Sequence, residues 1–173
     1  MERRTFEGLR DFMDSLRGAG ELQVVSEPVE KDWEVGTICR EVFDREGPAV
    51  LFERVGDHRT PLLVGALATR RRYSLALGVE PTVPGIAGMW RQAYGDPIKP
   101  RLVKDAPCKE VVRRDVDLTA DPFPVPHWHP LDRGAELGTL HGVITKPRTR
   151  TAAGSTSGPT GTRSWNGTSW AAW

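Results

Sequence analysis

Apolar side chains open the chain at Phe6, Leu9, Phe12, Met13 and Leu16, three or four positions apart, with Glu7, Arg10, Asp11, Asp14 and Arg17 between them. At 100° per residue these residues line up as one stripe, which predicts an amphipathic helix. Thr5 is its expected N-cap, and Gly18-Ala19-Gly20 can take the left-handed conformation that ends a helix. Leu22 to Val25 predicts a short strand. A second stripe, Val35, Ile38, Cys39, Val42 and Phe43, predicts another helix, with Asp32 as cap and Gly47-Pro48 as stop. Cys39 falls on that stripe, so it is expected as a small buried hydrophobe and not as a reactive thiol.

Ala49-Val50-Leu51-Phe52 and Leu62-Leu63-Val64 are unbroken apolar runs bounded by Gly, Pro and Asp, the pattern of strands covered on both faces. Ser74 to Leu77 reads as helical, and Pro81 to Gly88 as a loop leading into a helix from Ile86 to Tyr94. Strands that alternate with helices predict an α/β unit. From Pro97 to Pro107 the chain is extended and proline-punctuated, which places a domain boundary near residue 105. Cys108 to Val112, Val116 to Leu118 and Leu140 to Thr145 then read as strands. Pro122-Phe123-Pro124-Val125-Pro126 is excluded from any helix, because proline lacks an amide hydrogen and restricts the residue before it. The expected organisation is an α/β domain over 1–105, the first strands of a β-rich domain over 106–146, and a tail over 147–173.

Length and charge narrow the classes. A chain of 173 residues holds one compact domain, or one small domain and the start of a second. Its 24 basic and 23 acidic side chains leave a net charge of +1, which gives no global attraction to nucleic acid or anionic lipid. Cys39 and Cys108 lie far apart with no second thiol near either, so no disulfide framework or CxxC site can be drawn. No uncharged run is long enough to span a bilayer, and the start has no leader-like apolar stretch, so a cytoplasmic protein is expected.

Local clusters offer little chemistry. Arg70-Arg71-Arg72 reads as a solvated helix start or subunit contact before it reads as a phosphate or RNA contact, since no aromatics interleave with it. His127-Trp128-His129 sits in a proline-rich loop without nearby carboxylate or thiol partners, which favours a turn over a metal pair. Trp90 and Tyr94, four residues apart, are expected in a core or an interface. A nucleotide-binding barrel is disfavoured because no glycine loop precedes a helix in the phosphate-cradling manner.

After Lys146 the composition changes. The stretch Pro147 to Trp173 holds no Val, Ile, Leu, Asp or Glu and ends on Trp165, Trp170 and Trp173. Such a segment cannot offset the entropy lost on ordering, so it is expected to be disordered. The genetic code supplies a sharper reading. Codons begun one base earlier from Arg148 permit D-P-D-S-G-W-V-N-V-G-T-Y-R-H-Q-V-L-E-R-D-Q-L-G-R-L, with the glutamate demanded by Trp165-Asn166 and the last glycine by Trp170-Ala171. That string has the alternation, charges and aliphatic residues that the tail lacks.

Leu9-Arg10-Asp11-Phe12 with Gly20-Glu21-Leu22, Gly47 to Glu53, Arg70-Arg71-Arg72 with Ala76-Leu77-Gly78, Pro124-Val125-Pro126 with His129, Asp132 and Gly134, and Gly138-Thr139 with Gly142 to Thr145 follow one another in order. In that order and spacing, residues 5–145 resemble the N-terminal region of the UbiD family of reversible, non-oxidative decarboxylases. The family pattern continues with a D-P-x-T/S-G-W-x-N-x-G-x-Y-R strand pair, which the shifted frame permits. A one-base frame change between Lys146 and Arg148 is therefore expected.

The resemblance implies an α/β N-terminal domain followed by a split β-barrel of the flavin-reductase type. It further implies prenylated FMN, manganese and potassium as cofactors, an aromatic or α,β-unsaturated carboxylic acid as substrate, and a homo-oligomer. The family's metal-binding Asn, His and Glu, and its Arg with two Glu, have no counterpart in the present frame. The Asn and the Arg correspond to the shifted string, and the others would lie beyond Trp173. Thr139, at the start of a barrel strand, is the one candidate cofactor-contacting residue; no catalytic or metal-ligating residue is expected in the chain as it stands. A chain so constituted is expected to be catalytically incomplete, and the competing reading is a non-catalytic α/β interaction module or decoy subunit.

Overall fold

The computed structural model describes residues 6–98, 103–115 and 123–135. They fall into two compact units, one within Met1–Leu102 and Arg114–Gly138, the other within Val103–Arg113 and Thr139–Trp173. The first unit contains, in order, α1 (Leu9–Gly18), β1 (Leu22–Val25), α2 (Glu34–Asp44), β2 (Ala49–Phe52), β3 (Leu62–Val64), α3 (Arg70–Leu77) and α4 (Val83–Gly95). The three strands form one sheet in the order β1-β2-β3, with β1 parallel and β3 antiparallel to β2. Leu22 pairs with Ala49 and Val25 with Phe52, while Val50 faces Val64 across the other ladder.

All four residues of the central strand β2 are buried. Val50 and Phe52 join Val29, Val35, Cys39 and Val55 in a cluster that also receives Ile38, Val42 and Phe43 of α2. Ala49 joins Phe12 and Leu16 of α1, with Leu75 and Ala76 of α3 packed alongside. β2 therefore carries apolar contacts on both faces, as its unbroken apolar run predicted, in an α/β layering with α2 on one cluster and α1 and α3 on the other.

The ends of the elements differ from expectation in instructive ways. α1 begins at Leu9 with Gly8 as N-cap; Thr5, the expected cap, lies outside the described residues. Phe6 instead packs edge-on against Phe12, ring centroids 5.1 Å apart, and Asp11 Oδ2 accepts the Glu7 amide at 3.2 Å. At the other end Gly20 takes φ +71°, and the Glu21 amide reaches back to the Leu16 carbonyl at 2.8 Å. α2 is capped not by Asp32 but by Trp33, in the left-handed region at φ 67°. The cause is tertiary: Asp32 bridges to His127, and the Trp33 amide donates to the His127 carbonyl at 2.7 Å.

α3 starts at Arg70, four residues before the expected Ser74, because the Thr69 hydroxyl accepts the Arg72 amide and sets the first turn. α4 likewise starts at Val83 inside the expected loop, where Thr82 caps the Gly85 amide and Pro84 sits in the first turn with its φ already suited to a helix.

Two expectations about the second domain change. The strand expected over Cys108 to Val112 is absent: Pro107–Lys109 forms a single 3-10 turn, closed by Lys109 N–H to the Ala106 carbonyl, and Val111 and Val112 are exposed. Proline at the head of the turn withholds an amide from any ladder. The segment 123–135, expected beyond the boundary at 105, belongs with the first unit, where His127 N–H donates to the Lys31 carbonyl at 3.2 Å and Trp128 packs on the α2 cluster. Pro124-Val125-Pro126 is non-helical there. The strands expected at Val116 to Leu118 and Leu140 to Thr145, Thr139 and the tail lie outside the described residues.

Candidate functional site

The most densely charged place in the first unit is the N-terminus of α3. Arg72, expected on a solvated helix start, is fully buried. Its Nε donates to the Gly65 carbonyl at 2.9 Å, and its Nη1 donates to the Gly47 carbonyl at 2.8 Å and to Glu21 Oε2 at 3.0 Å. Glu21 immediately precedes β1, Gly47 lies two residues before β2, and Gly65 immediately follows β3. One guanidinium thus ties together the same end of all three strands. Its planar fork suits this task, because several carbonyl and carboxylate oxygens can be met at fixed angles.

Glu21 is shared: its second oxygen pairs with Arg71 Nε at 3.0 Å, and Arg71 Nη2 also reaches the Ala19 carbonyl. Gly65, which supplies an acceptor to Arg72, has φ +76° and lies against the Phe43 ring, so a side chain there would meet both backbone strain and a clash. Around this group opens a cleft of about 610 Å³ lined by Glu21, Phe43, Glu46, Thr69 and Arg70 to Arg72, with Ala68 and Pro81.

The His127-Trp128-His129 stretch does not gather into a metal centre. His127 Nε2 lies 3.2 Å from the Asp132 carbonyl oxygen, and its ring stacks at a tilt on Trp33 with centroids 5.6 Å apart. Asp132 Oδ2 accepts the His129 amide at 2.8 Å, and His129 Nδ1 sits 3.4 Å from the same oxygen. These bonds close a turn, as expected. No group of three His, Cys, Asp or Glu side chains placed to hold a metal occurs among the described residues. The described side chains therefore do not offer the donor set that a metal-bridged flavin phosphate takes.

Cys39 is buried in the α2 cluster, and burial pushes its thiol up to about 12. It is a protonated core residue at neutral pH, as its place on the apolar stripe predicted. Trp90 and Tyr94 do stack at i, i+4, with centroids 6.0 Å apart, yet both are exposed. No residue of α4 is buried. The role of Arg72 escaped sequence reasoning because a run of three arginines hides which one turns inward. The available signal was Thr69 as cap, which sets Arg72 three residues into the helix.

Comparison with known proteins defines the class. Residues 13–87 match the profile of the 3-octaprenyl-4-hydroxybenzoate carboxy-lyase N-terminal domain. An evolved dimeric form of the UbiD-class enzyme HmfF from Pelotomaculum thermopropionicum, solved with prFMN, is 27% identical with a TM-score of 0.63, over 73% of this chain and 29% of that one. Apo 3,4-dihydroxybenzoic acid decarboxylase from Klebsiella pneumoniae is also 27% identical, with a TM-score of 0.57, over 68% of this chain and 27% of that one. The vanillic acid decarboxylase of Sedimentibacter hydroxybenzoicus in open form shares the fold at 23% identity and a TM-score of 0.68, over 76% of this chain and 30% of that one. The first unit thus shares its α/β fold with UbiD-class enzymes. Residues 13–87 are similar to the N-terminal domain of UbiD-class enzymes. It spans less than a third of the length of each of these solved chains.

Proposed function

We propose that the chain is the N-terminal portion of a UbiD-like non-oxidative carboxy-lyase acting on an aromatic or α,β-unsaturated carboxylic acid. The observation that carries this reading is the coincidence of the profile match over residues 13–87 with a fold shared at 27% identity with a UbiD-class enzyme. In this reading the ordered unit is scaffold. Its sheet is locked at one end by Arg72 and Glu21, and residues that follow in the family pattern carry the chemistry.

The one-base frame change between Lys146 and Arg148 accounts for where those residues went. The shifted string restores an asparagine and an arginine at the family's metal and substrate positions, and it would continue a barrel begun by the strand expected at Leu140 to Thr145. Prenylated FMN, with manganese and potassium, then belongs to that barrel, and Thr139 is its contact from the present frame. The flavin would supply the electron sink that carbon dioxide loss requires and that no ordinary side chain provides. The intact product is read as a cytoplasmic homo-oligomer, and no helix among the described residues is long and apolar enough to cross a membrane.

Two measurements test this. Sequencing the DNA from the Ile144 codon through several hundred downstream bases should reveal an open frame that encodes the missing glutamates and histidine. A verified stop after Trp173 with nothing homologous downstream defeats the frame change. The purified chain supplied with prenylated FMN and manganese should release no carbon dioxide from aromatic carboxylates, whereas the frame-corrected protein should. Turnover by the uncorrected chain would place the catalytic groups within residues 1–173.

A further inference from the structure

α4 presents an apolar band to solvent. Val83, Trp90 and Tyr94 are 63%, 45% and 81% exposed, and Ala87 between them is half-buried. Their spacings of four, three and four are those of an a/d heptad seam, and at 100° per residue they fall within an arc of about 60°. Trp90 and Tyr94 stack along the helix with centroids 6.0 Å apart, so the two largest side chains are already ordered against each other and lose little freedom when covered. Arg91, the single charged side chain of α4, lies off the band with its Nε on the Ala87 carbonyl at 3.3 Å.

We propose that this band is a self-association surface on which α4 of a second copy of the chain lies antiparallel. The order of side-chain sizes selects that occupant, because two small residues, Val83 and Ala87, precede two large ones, Trp90 and Tyr94. A two-fold axis passing between Ala87 and Trp90 sets Val83 level with the partner's Tyr94 and Ala87 level with the partner's Trp90. Every layer then holds one small and one large side chain, the pattern that fills the space between facing helices. A parallel pair would set ring against ring in two layers and Ala87 against the partner's Ala87. The band is thus complementary to itself, as an isologous two-fold contact requires, and it brings no like charges face to face. With Pro84 and Ala93 at its edges it offers on the order of 500 Å² per copy, so the pair buries about 1,000 Å², the lower bound for a specific interface. Association over that area is weak, roughly micromolar or weaker, and the band is bare in dilute solution. The surface uses α4 alone, so it rests neither on the decarboxylase reading nor on the frame change.

Sedimentation velocity of the full chain between about 1 and 100 μM tests the proposal, and a monomer–dimer equilibrium is expected. Trp90→Ala should weaken it about tenfold or more, since two layers each lose a ring. Ala87→Trp should weaken it as well, although it makes the band more apolar, because ring would then meet ring. Combining Ala87→Trp with Trp90→Ala exchanges small and large within each layer and should restore association to within about threefold. Arg40→Gln, on the exposed side of α2, should leave it unchanged, and circular dichroism verifies that each variant keeps the fold. A dimer that Trp90→Ala does not weaken would place the contact elsewhere and overturn the proposal. Association that rises with Ala87→Trp and is not restored by the exchange would reduce the band to unspecific adhesion. A chain that stays monomeric throughout also overturns it, and protection of α4 from hydrogen exchange found only in the frame-corrected protein would then assign the band to a later segment of that chain.

Discussion

β2 and α4 are both apolar segments of the same unit, and they end in opposite environments. Four of four residues in β2 are buried, whereas α4, thirteen residues long, buries none. The difference is not hydrophobicity, since Val83, Ile86, Trp90 and Tyr94 recur along α4 at spacings of three and four. It is the number of neighbours. β2 has a strand on either edge and helices over both faces, while α4 touches chiefly α3. An apolar stripe predicts that an element exists and which side is sticky; it does not say whether anything covers that side.

Four experiments would break or sharpen that contrast. Phe52 is fully buried between α2 and the strands, so Phe52→Ala should cost about 3–5 kcal/mol in denaturant unfolding. A loss below about 1 kcal/mol, the level of an average substitution, would mean the core is looser than its burial implies. Removing the strand-end clamp by Arg72→Met should cost about 3 kcal/mol or more, because Glu21 loses a partner in a half-enclosed site and two backbone carbonyls lose their donor. If Arg72→Met were neutral, the clamp would be incidental to stability.

Cys39 gives the third test through pH. Burial raises its folded-state value to about 12, so the folded protein keeps the proton while the unfolded thiol loses it near its ordinary value. The unfolded state therefore binds fewer protons in that window, and the Cys39 contribution should be complete below about pH 8.5 and lost as pH rises toward 12. Cys39→Ala should flatten this part of the stability curve, and an unchanged alkaline slope would show that Cys39 does not set it. Smallest of all, Trp90→Ala and Tyr94→Ala should each shift stability by less than about 0.5 kcal/mol, because both rings face solvent. A cost near that of Phe52→Ala would mean that α4 is covered in solution.

Much of the fold was legible because it is local. β1, β2 and β3 lie on the residues that the apolar runs marked, since short length and flanking Gly, Pro and Asp separate a buried strand from a helix. α1 and α2 follow their stripes. The errors cluster where a distant residue decides. Trp33 replaces Asp32 as cap because His127 takes its amide, and no pattern near residue 32 announces a partner at 127. α3 and α4 begin early because Thr69 and Thr82 cap them, a local signal that proline and arginine obscured. The strand expected at Cys108 gave way to a proline-led turn.

The candidate site divides in the same way. Cys39 was placed in the core by its helical period, and the His127 turn by proline chemistry. Which of Arg70, Arg71 and Arg72 turns inward was decided by three acceptors on separate strands: Glu21, Gly47 and Gly65.

By itself the order of amino acids determined the kinds of element, the faces they bury and the family pattern running through them, because each depends on residues a few positions apart. Only the tertiary structure decided which polar groups pair and which apolar faces are covered. Those outcomes depend on acceptors and neighbours brought together from dozens of residues away, and burial makes each pairing obligatory once the chain has closed over it.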